Sequence, residues 1–357
     1  MKKEMGEYTL QEIGRQHEIW SVVISRVENL YKAASPFFEN VERVLFTGCG
    51  SNYYMSLGAS SLFQMRAGIP SSGVPASELM LFPESVLSRA ERTLVIPLCR
   101  SGETTEVVEA IKIASEIFGC KTLSIGCFPQ STVAKMCTYA FTFPEAQEKS
   151  VVTTKSHTAM LLAVQMLSGL LSKRRMSSSG IFLDDLRSLP GNGGGVIGRL
   201  EESIGLIPLD QYSHFVFLGG GPFYGIACEA MLKMKEMALM SSDAFHCLEF
   251  RHGPKSILHR GVLVTLFLSD TAKKQEIALM GEVRELGGSV LAVCEAADGA
   301  VSKNADYVIQ TKSRIDEYAR SVLYLPFAQM LAFRKAVSRD IDVDSPRNLT
   351  YYVKLEG

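Results

Sequence analysis

Val44-Leu-Phe-Thr-Gly-Cys-Gly-Ser-Asn-Tyr-Tyr54 and Phe215-Val-Phe-Leu-Gly-Gly-Gly-Pro-Phe-Tyr-Gly225 together decide the fold. Each is an apolar run that enters a Gly-x-Gly turn and then the start of a helix, with Gly219 falling over Gly48 and Gly221 over Gly50. The segments that follow recur in the same order. Apolar residues 93–99 are answered by 262–268, and the amphipathic stretch 107–118 by 271–286. The short strands 121–127 and 139–143 are answered by 290–293 and 307–310. One glycine turn matches by chance easily; an ordered series of this length is an internal duplication. Strands alternating with helices at this spacing form parallel βαβ units. The expected class is therefore α/β, with two tandem doubly wound parallel-sheet domains of flavodoxin-like αβα layering.

Around the two copies the chain divides into an N-terminal helical arm over residues 1–40, a first domain over 41–175, a linker over 176–210, a second domain over 211–340 and a tail over 341–357. In the arm, Thr9-Leu-Gln-Glu12 has the form of a capping box ahead of apolar residues at helical spacing. The linker reading rests on Lys173-Arg-Arg-Met-Ser-Ser-Ser-Gly180 and Pro190-Gly-Asn-Gly-Gly-Gly195, with room for a helix between them. A final helix covers 321–339, and Pro346 keeps the start of the tail from being helical.

Composition narrows the function classes. A hydrophobic fraction of 46% with 21% charged residues is that of an ordinary globular protein, and a net charge of -1 draws the chain to neither nucleic acid nor membrane. No apolar run is long enough to span a bilayer, and Met1-Lys-Lys-Glu-Met-Gly6 leads into a polar helix without a signal-peptide core. The eight cysteines include no C-x-x-C pair and lie in apolar contexts, as reduced buried thiols do. The expected location is the cytoplasm.

Chemistry concentrates in a few places. The Cys49-Gly50-Ser51-Asn52 turn and the segment Cys99-Arg100-Ser101-Gly-Glu-Thr104 each precede a helix, where backbone N–H groups and hydroxyls suit a phosphate. Thr153-Thr-Lys155 adds hydroxyls before a third helix. Singly, each is as well explained by a tight turn or an N-cap; three such starts in one domain point to a ligand at the strand ends. The dinucleotide fingerprint fails, because Tyr53 and Tyr224 stand where the third glycine belongs. Lys233 and Glu236 lie one turn apart on a helix rich in Met, Ala and Leu, and Glu249-Phe-Arg-His252-Gly-Pro254 follows. A surface ion pair and a turn histidine are the plain alternatives for these residues. The histidines have no ligand-like spacing, so neither a metal nor another cofactor is assigned.

At these residues the chain resembles the sugar isomerase (SIS) domain family, and most of all the isomerase halves of the glucosamine-6-phosphate synthases. Six motifs carry the resemblance in the family's order: Gly48-Cys-Gly-Ser51, Ser101-Gly-Glu-Thr104, Thr153-Thr-Lys155, Leu232-Lys-Met-Lys-Glu236, Glu249-Phe-Arg-His-Gly-Pro254 and Pro346-Arg-Asn-Leu349. The resemblance implies that Ser51, Ser101 and Thr104 hold a sugar phosphate with help from Cys99 and Arg100, and that Thr153 meets sugar hydroxyls. It implies that Glu236, beside Lys233, moves the proton between C1 and C2. His252 would open the sugar ring, reaching the neighbouring subunit's site in a homodimer. Aldose–ketose isomerisation needs such a carboxylate and a group titrating near neutrality.

Departures from the family pattern bear on the substrate. The synthases' glutaminase domain has no counterpart in this sequence, so release of ammonia from glutamine is not expected. Their tail lysine, which forms a Schiff base two residues after the Asn-Leu, is replaced by Tyr351, with Lys354 three residues on. The expected activity is a phosphosugar isomerase or deaminase acting on a hexosamine or ketosamine 6-phosphate. A fructosamine-6-phosphate deglycase and a non-catalytic sugar-phosphate-binding module are the alternatives.

Overall fold

The computed structural model describes residues 5–175 and 180–355. The first sheet contains β1 (Arg43–Gly48), β2 (Ser71–Pro75), β3 (Thr93–Cys99), β4 (Lys121–Gly126) and β5 (Tyr139–Thr142) in the order β2-β1-β3-β4-β5. The second contains β6 (His214–Gly219), β7 (Ser241–His246), β8 (Val262–Phe267), β9 (Ser289–Cys294) and β10 (Tyr307–Gln310) in the order β7-β6-β8-β9-β10. Every pairing is parallel, and the two orders are one order read twice, so the duplication is real at the level of topology. Central strands such as β3 and β8 are buried along their whole length, which is why they read as unbroken apolar runs.

The edge strands β2 and β7 have no such signature. Ser71-Ser-Gly-Val-Pro75 is half-buried throughout, and Ser241-Ser-Asp-Ala-Phe-His246 begins and ends exposed. What makes them strands is an open edge of β1 or β6 to pair with.

The main helices are α1 (Glu7–Arg15), α2 (Trp20–Ala34), α3 (Ser51–Ala67), α4 (Thr105–Lys112), α5 (Lys155–Arg175), α6 (Gly180–Ile204), α7 (Phe223–Ala238), α8 (Lys273–Glu285) and α9 (Ser321–Val337). By contacts the chain forms two compact units. One holds residues 16–149, 155–190 and 350–357, with the first sheet; the other holds 1–15, 150–154 and 191–349, with the second.

The N-terminal arm is thus two helices in different units. Thr9 does not cap its helix: α1 begins at Glu7, and Thr9 gives both its N–H and its hydroxyl to Asp344, at 2.9 and 2.8 Å. The N–H groups of Gly6 and Tyr8 go to Asp342 and Asp344, so carboxylates distant in sequence satisfy this helix start.

The region read as a linker carries the helix α6, with Pro190 inside it. Phe182, Leu183, Leu186, Leu189, Val196, Ile197, Leu200 and Ile204 are buried at helical spacing, and that burial outweighs a run of glycines costing about 1 kcal/mol each. Residues 205–210 of that region lead into a short 3-10 helix at Leu209–Gln211, whereas 176–179 and the ends of the arm and tail, at 1–4 and 356–357, lie outside the described residues.

Candidate active site

In an order 2-1-3-4-5 the direction of winding reverses between β1 and β3, and ligands of open α/β sheets bind outside the strand ends at that point. Both hydroxyl-rich turns of the first copy emerge there, from neighbouring strands. After β1, Gly50 takes a φ of +55°, which only glycine adopts without strain, and Ser51 opens α3. A Cβ at Gly48 would lie 2.8 Å from the Leu98 carbonyl oxygen, so the strand-to-helix crossing needs glycine there too. Ser51 is buried, and the buried side-chain oxygen of Asn52 takes no hydrogen bond among the described residues. Burial pushes the Cys49 thiol up to about 12, which disqualifies it as a nucleophile near neutral pH.

After β3, Cys99 turns its sulfur inward to accept the Gly102 N–H at 3.2 Å, and Ser101 Oγ accepts the Glu103 N–H at 3.2 Å. Gly102 has a φ of +67°, and a Cβ there would sit 2.1 Å from Ser131 Oγ. Thr104 stands at the N-cap of α4 without bonding the helix N–H groups through its side chain; its hydroxyl makes a 3.9 Å contact with Cys99 Sγ. The turn therefore sets the Ser101 and Thr104 hydroxyls at a helix start, with the Gly102 and Glu103 N–H groups already bonded within it.

Arg100 faces elsewhere. Its Nη2 donates to the Tyr351 carbonyl at 2.9 Å, its guanidinium lies 3.8 Å from the centre of the Tyr351 ring, and its Nη1 is 3.4 Å from Glu148. Thr153 belongs to the 150–154 segment, which groups with the second-copy unit. There Glu12 accepts the Ser150 N–H and Gln329 donates to the Thr154 carbonyl.

The second copy builds the equivalent of the Ser101 turn with Ser269, which like Ser101 stands four residues before its helix and accepts the N–H two residues on. This turn is filled from within. Glu317 accepts from Ser269 Oγ at 2.5 Å, the Asp270 N–H at 2.8 Å and Thr271 Oγ1 at 3.2 Å, as a bound anion would.

The residues expected to do acid–base work sit on α7 and just beyond it. Lys233 is wholly buried, 2.5 Å from Glu236 and 3.1 Å from Glu229. Burial alone would push its ammonium down; Glu229 and Glu236 together hold it above the usual lysine value, so it stays charged. Glu236 retains 19% exposure, whereas Glu229 has none. The pair is thus no surface decoration, and Glu229, one turn before Lys233, is a third member that the sequence reading passed over. Its signal was there in the i, i+4 spacing on an apolar helix.

Beyond β7, residues Glu249–Arg251 make a short helical turn, Arg251 pairs with Glu282 at 2.8 Å, and His252 is exposed. Glu276, also absent from the sequence reading, is buried against the Ser269 turn and accepts its N–H at 2.7 Å. Burial raises its carboxyl to about 7.

Comparison with known proteins agrees with this anatomy. The SIS domain family model matches residues 37–168 and again 209–337. The chain belongs to the SIS domain family, with two copies of the domain in tandem. It is 30% identical over 342 residues to the glutamine–fructose-6-phosphate aminotransferase (isomerizing) of Neisseria meningitidis serogroup B, covering 92% of this chain and 54% of that protein. The chain spans about half the length of the curated relatives it matches. Among solved structures it is similar to glucosamine-6-phosphate deaminase from Thermotoga maritima, at 30% identity and a TM-score of 0.79 over 98% of this chain and all of that one. The C-terminal domain of the Francisella tularensis glucosamine-fructose-6-phosphate aminotransferase shares the fold, at 22% identity and a TM-score of 0.85 over 97% of this chain and all of that one. Among the described residues no helix is long and apolar enough to cross a membrane.

Proposed function

We propose that the chain is a metal-independent phosphosugar isomerase or deaminase acting on an amino-sugar 6-phosphate. The observation that carries this reading is Glu236: a partly exposed carboxylate fixed at 2.5 Å by an ammonium that is itself buried and doubly paired. Ser51, Ser101 and Thr104 would hold the phosphate, where helix N-termini favour an anion. The Asn52 oxygen would accept from a sugar hydroxyl. The relatives support the class, being named for isomerising or deaminating sugar phosphates.

With glucosamine 6-phosphate, ring opening gives the C1 aldehyde, for which His252 is the candidate acid–base group, reaching the partner subunit's site in a homodimer. Glu236 takes the C2 proton, leaving an enolamine across C1–C2, and returns it to C1. The C2 imine adds water and expels ammonia, giving fructose 6-phosphate. Lys233, held as a cation, fixes the Glu236 carboxyl group in place for the first transfer. The test is ammonia and fructose 6-phosphate production from glucosamine 6-phosphate. Glu236→Gln is expected to lower turnover by about 10²–10⁴-fold while sugar phosphate still binds. No turnover by the unaltered protein removes the deaminase version. Binding with every activity unchanged in Glu236→Gln leaves a sensing module.

Tyr351 favours a second reading. Its backbone and ring are held by Arg100, at the position where the resemblance expects a Schiff-base lysine, and Lys354 lies over the Tyr352 ring. A fructosamine 6-phosphate already carries its amine and needs no such lysine. Release of glucose 6-phosphate and a free amine from that substrate identifies a deglycase.

A further inference from the structure

Arg100 looks by sequence like an added phosphate ligand, but its surroundings assign it another task. It is 5% exposed, its backbone carbonyl accepts the Cys127 N–H at 3.1 Å, and its guanidinium is enclosed by the tail and by Glu148. Glu148 is fully buried and is itself fixed by the Ser156 N–H and hydroxyl, at 3.2 and 2.5 Å. The positive charge is therefore already answered by a rigid carboxylate, and its flat face is covered by Tyr351 at 3.8 Å.

The tail continues from that point along the phosphate turn. The Thr105 N–H, the first of α4, donates to the Val353 carbonyl at 3.3 Å, and the Leu355 N–H donates to Thr105 Oγ1 at 3.1 Å. Phe128 meets the Tyr351 ring edge-on. Tyr351 and Tyr352 then wall a cavity of about 600 Å³ whose other side includes Ser101, Phe128 and Gln147.

We propose that Arg100 is a positioning residue that clamps residues 350–355 over the start of α4, and that it acts on an anion bound at Ser101 and Thr104 through the tail, without touching it. The tail holds Thr105 through its N–H and its hydroxyl and so orders the turn that carries Ser101 and Thr104; loosening the tail loosens that turn and weakens an anion bound on the two hydroxyls. The phosphate part rests on the function proposed above; the clamp does not.

Hydrogen exchange of the intact protein tests the clamp. Arg100→Lys keeps the charge beside Glu148 but loses the flat face and the fork that reaches Tyr351. Exchange at Leu355 and Thr105 is expected to quicken by about tenfold or more in Arg100→Lys and in Tyr351→Ala, with the β1 amides unchanged and Tyr351→Phe like the unaltered protein. Unchanged tail protection in Arg100→Lys overturns the proposal.

Inorganic phosphate titration supplies the second arm. Arg100→Lys and Tyr351→Ala are expected to weaken binding by similar factors, and the double variant no further. If Arg100→Lys weakens phosphate as much in the Tyr351→Ala background as alone, Arg100 is a direct ligand and the proposal fails. Should the unaltered protein bind no phosphate, the phosphate turn is refuted, while the exchange arm still decides the clamp.

Discussion

Replacing Lys233 by methionine removes the ammonium that Glu229 and Glu236 share while filling nearly the same volume. Glu236 is exposed enough for water to take over its solvation, so the cost falls on Glu229, which has no exposure and sat 3.1 Å from the lost charge. Breaking a buried ion pair from one side costs about 3–5 kcal/mol, a large part of the roughly 5–15 kcal/mol that holds a domain folded. The protein can escape part of this by protonating Glu229. Loss of the neighbouring ammonium raises the Glu229 carboxyl, since burial then acts on it without that counter-charge. A raised folded-state pKa gives stability that is whole below the unfolded value and is lost as pH climbs through the folded one. The deficit of Lys233→Met should therefore be smaller near pH 5 than near pH 7.5, with about 3–5 kcal/mol as its upper range. Urea unfolding followed by circular dichroism at the two pH values measures it. Adding Glu229→Gln should recover most of the loss, because a buried pair removed whole is close to neutral. A deficit that is equal at both pH values, or untouched by Glu229→Gln, refutes the assignment of Lys233 as the counter-charge of a buried carboxylate.

Two further outcomes follow from the turns. Gly102→Ala places a methyl against Ser131, whose hydroxyl caps the short helix at Thr132–Met136, in a backbone conformation that disfavours side chains; a loss of about 1–3 kcal/mol is expected in thermal unfolding. Glu276, raised by burial to about 7, contributes stability that is present below about 4.5 and lost as pH rises through about 7. Glu276→Gln, which keeps an acceptor for the Ser269 N–H, should flatten the pH dependence of stability across that window by up to about 3 kcal/mol.

Sequence alone determined the class of fold, because buried parallel strands are apolar throughout and turns with positive φ favour glycine. Those two demands write Val44–Tyr54 and Phe215–Gly225 so alike that the duplication shows. It also placed Lys233 and Glu236 on one helix face, since their relation is local. The edge strands Ser71–Pro75 and Ser241–His246 were not legible, because an edge strand needs a neighbour to pair with more than it needs apolar residues. Nor was α6, whose glycines and proline read as a break until the burial of its apolar stripe is counted. The tertiary structure alone decided which of two equivalent turns is filled by a carboxylate. Ser101 and Ser269 have the same local role, but Glu317, 48 residues beyond Ser269, fills one turn, while at the other Glu148 is turned to Arg100 and Ser156. The partner of Arg100 was decided in the same way, 251 residues along the chain at Tyr351. Residue types and local spacing say what a group can bond; only the packed chain says which donor reaches which acceptor first, and a buried charge commits to the partner that removes it from water at the lowest cost.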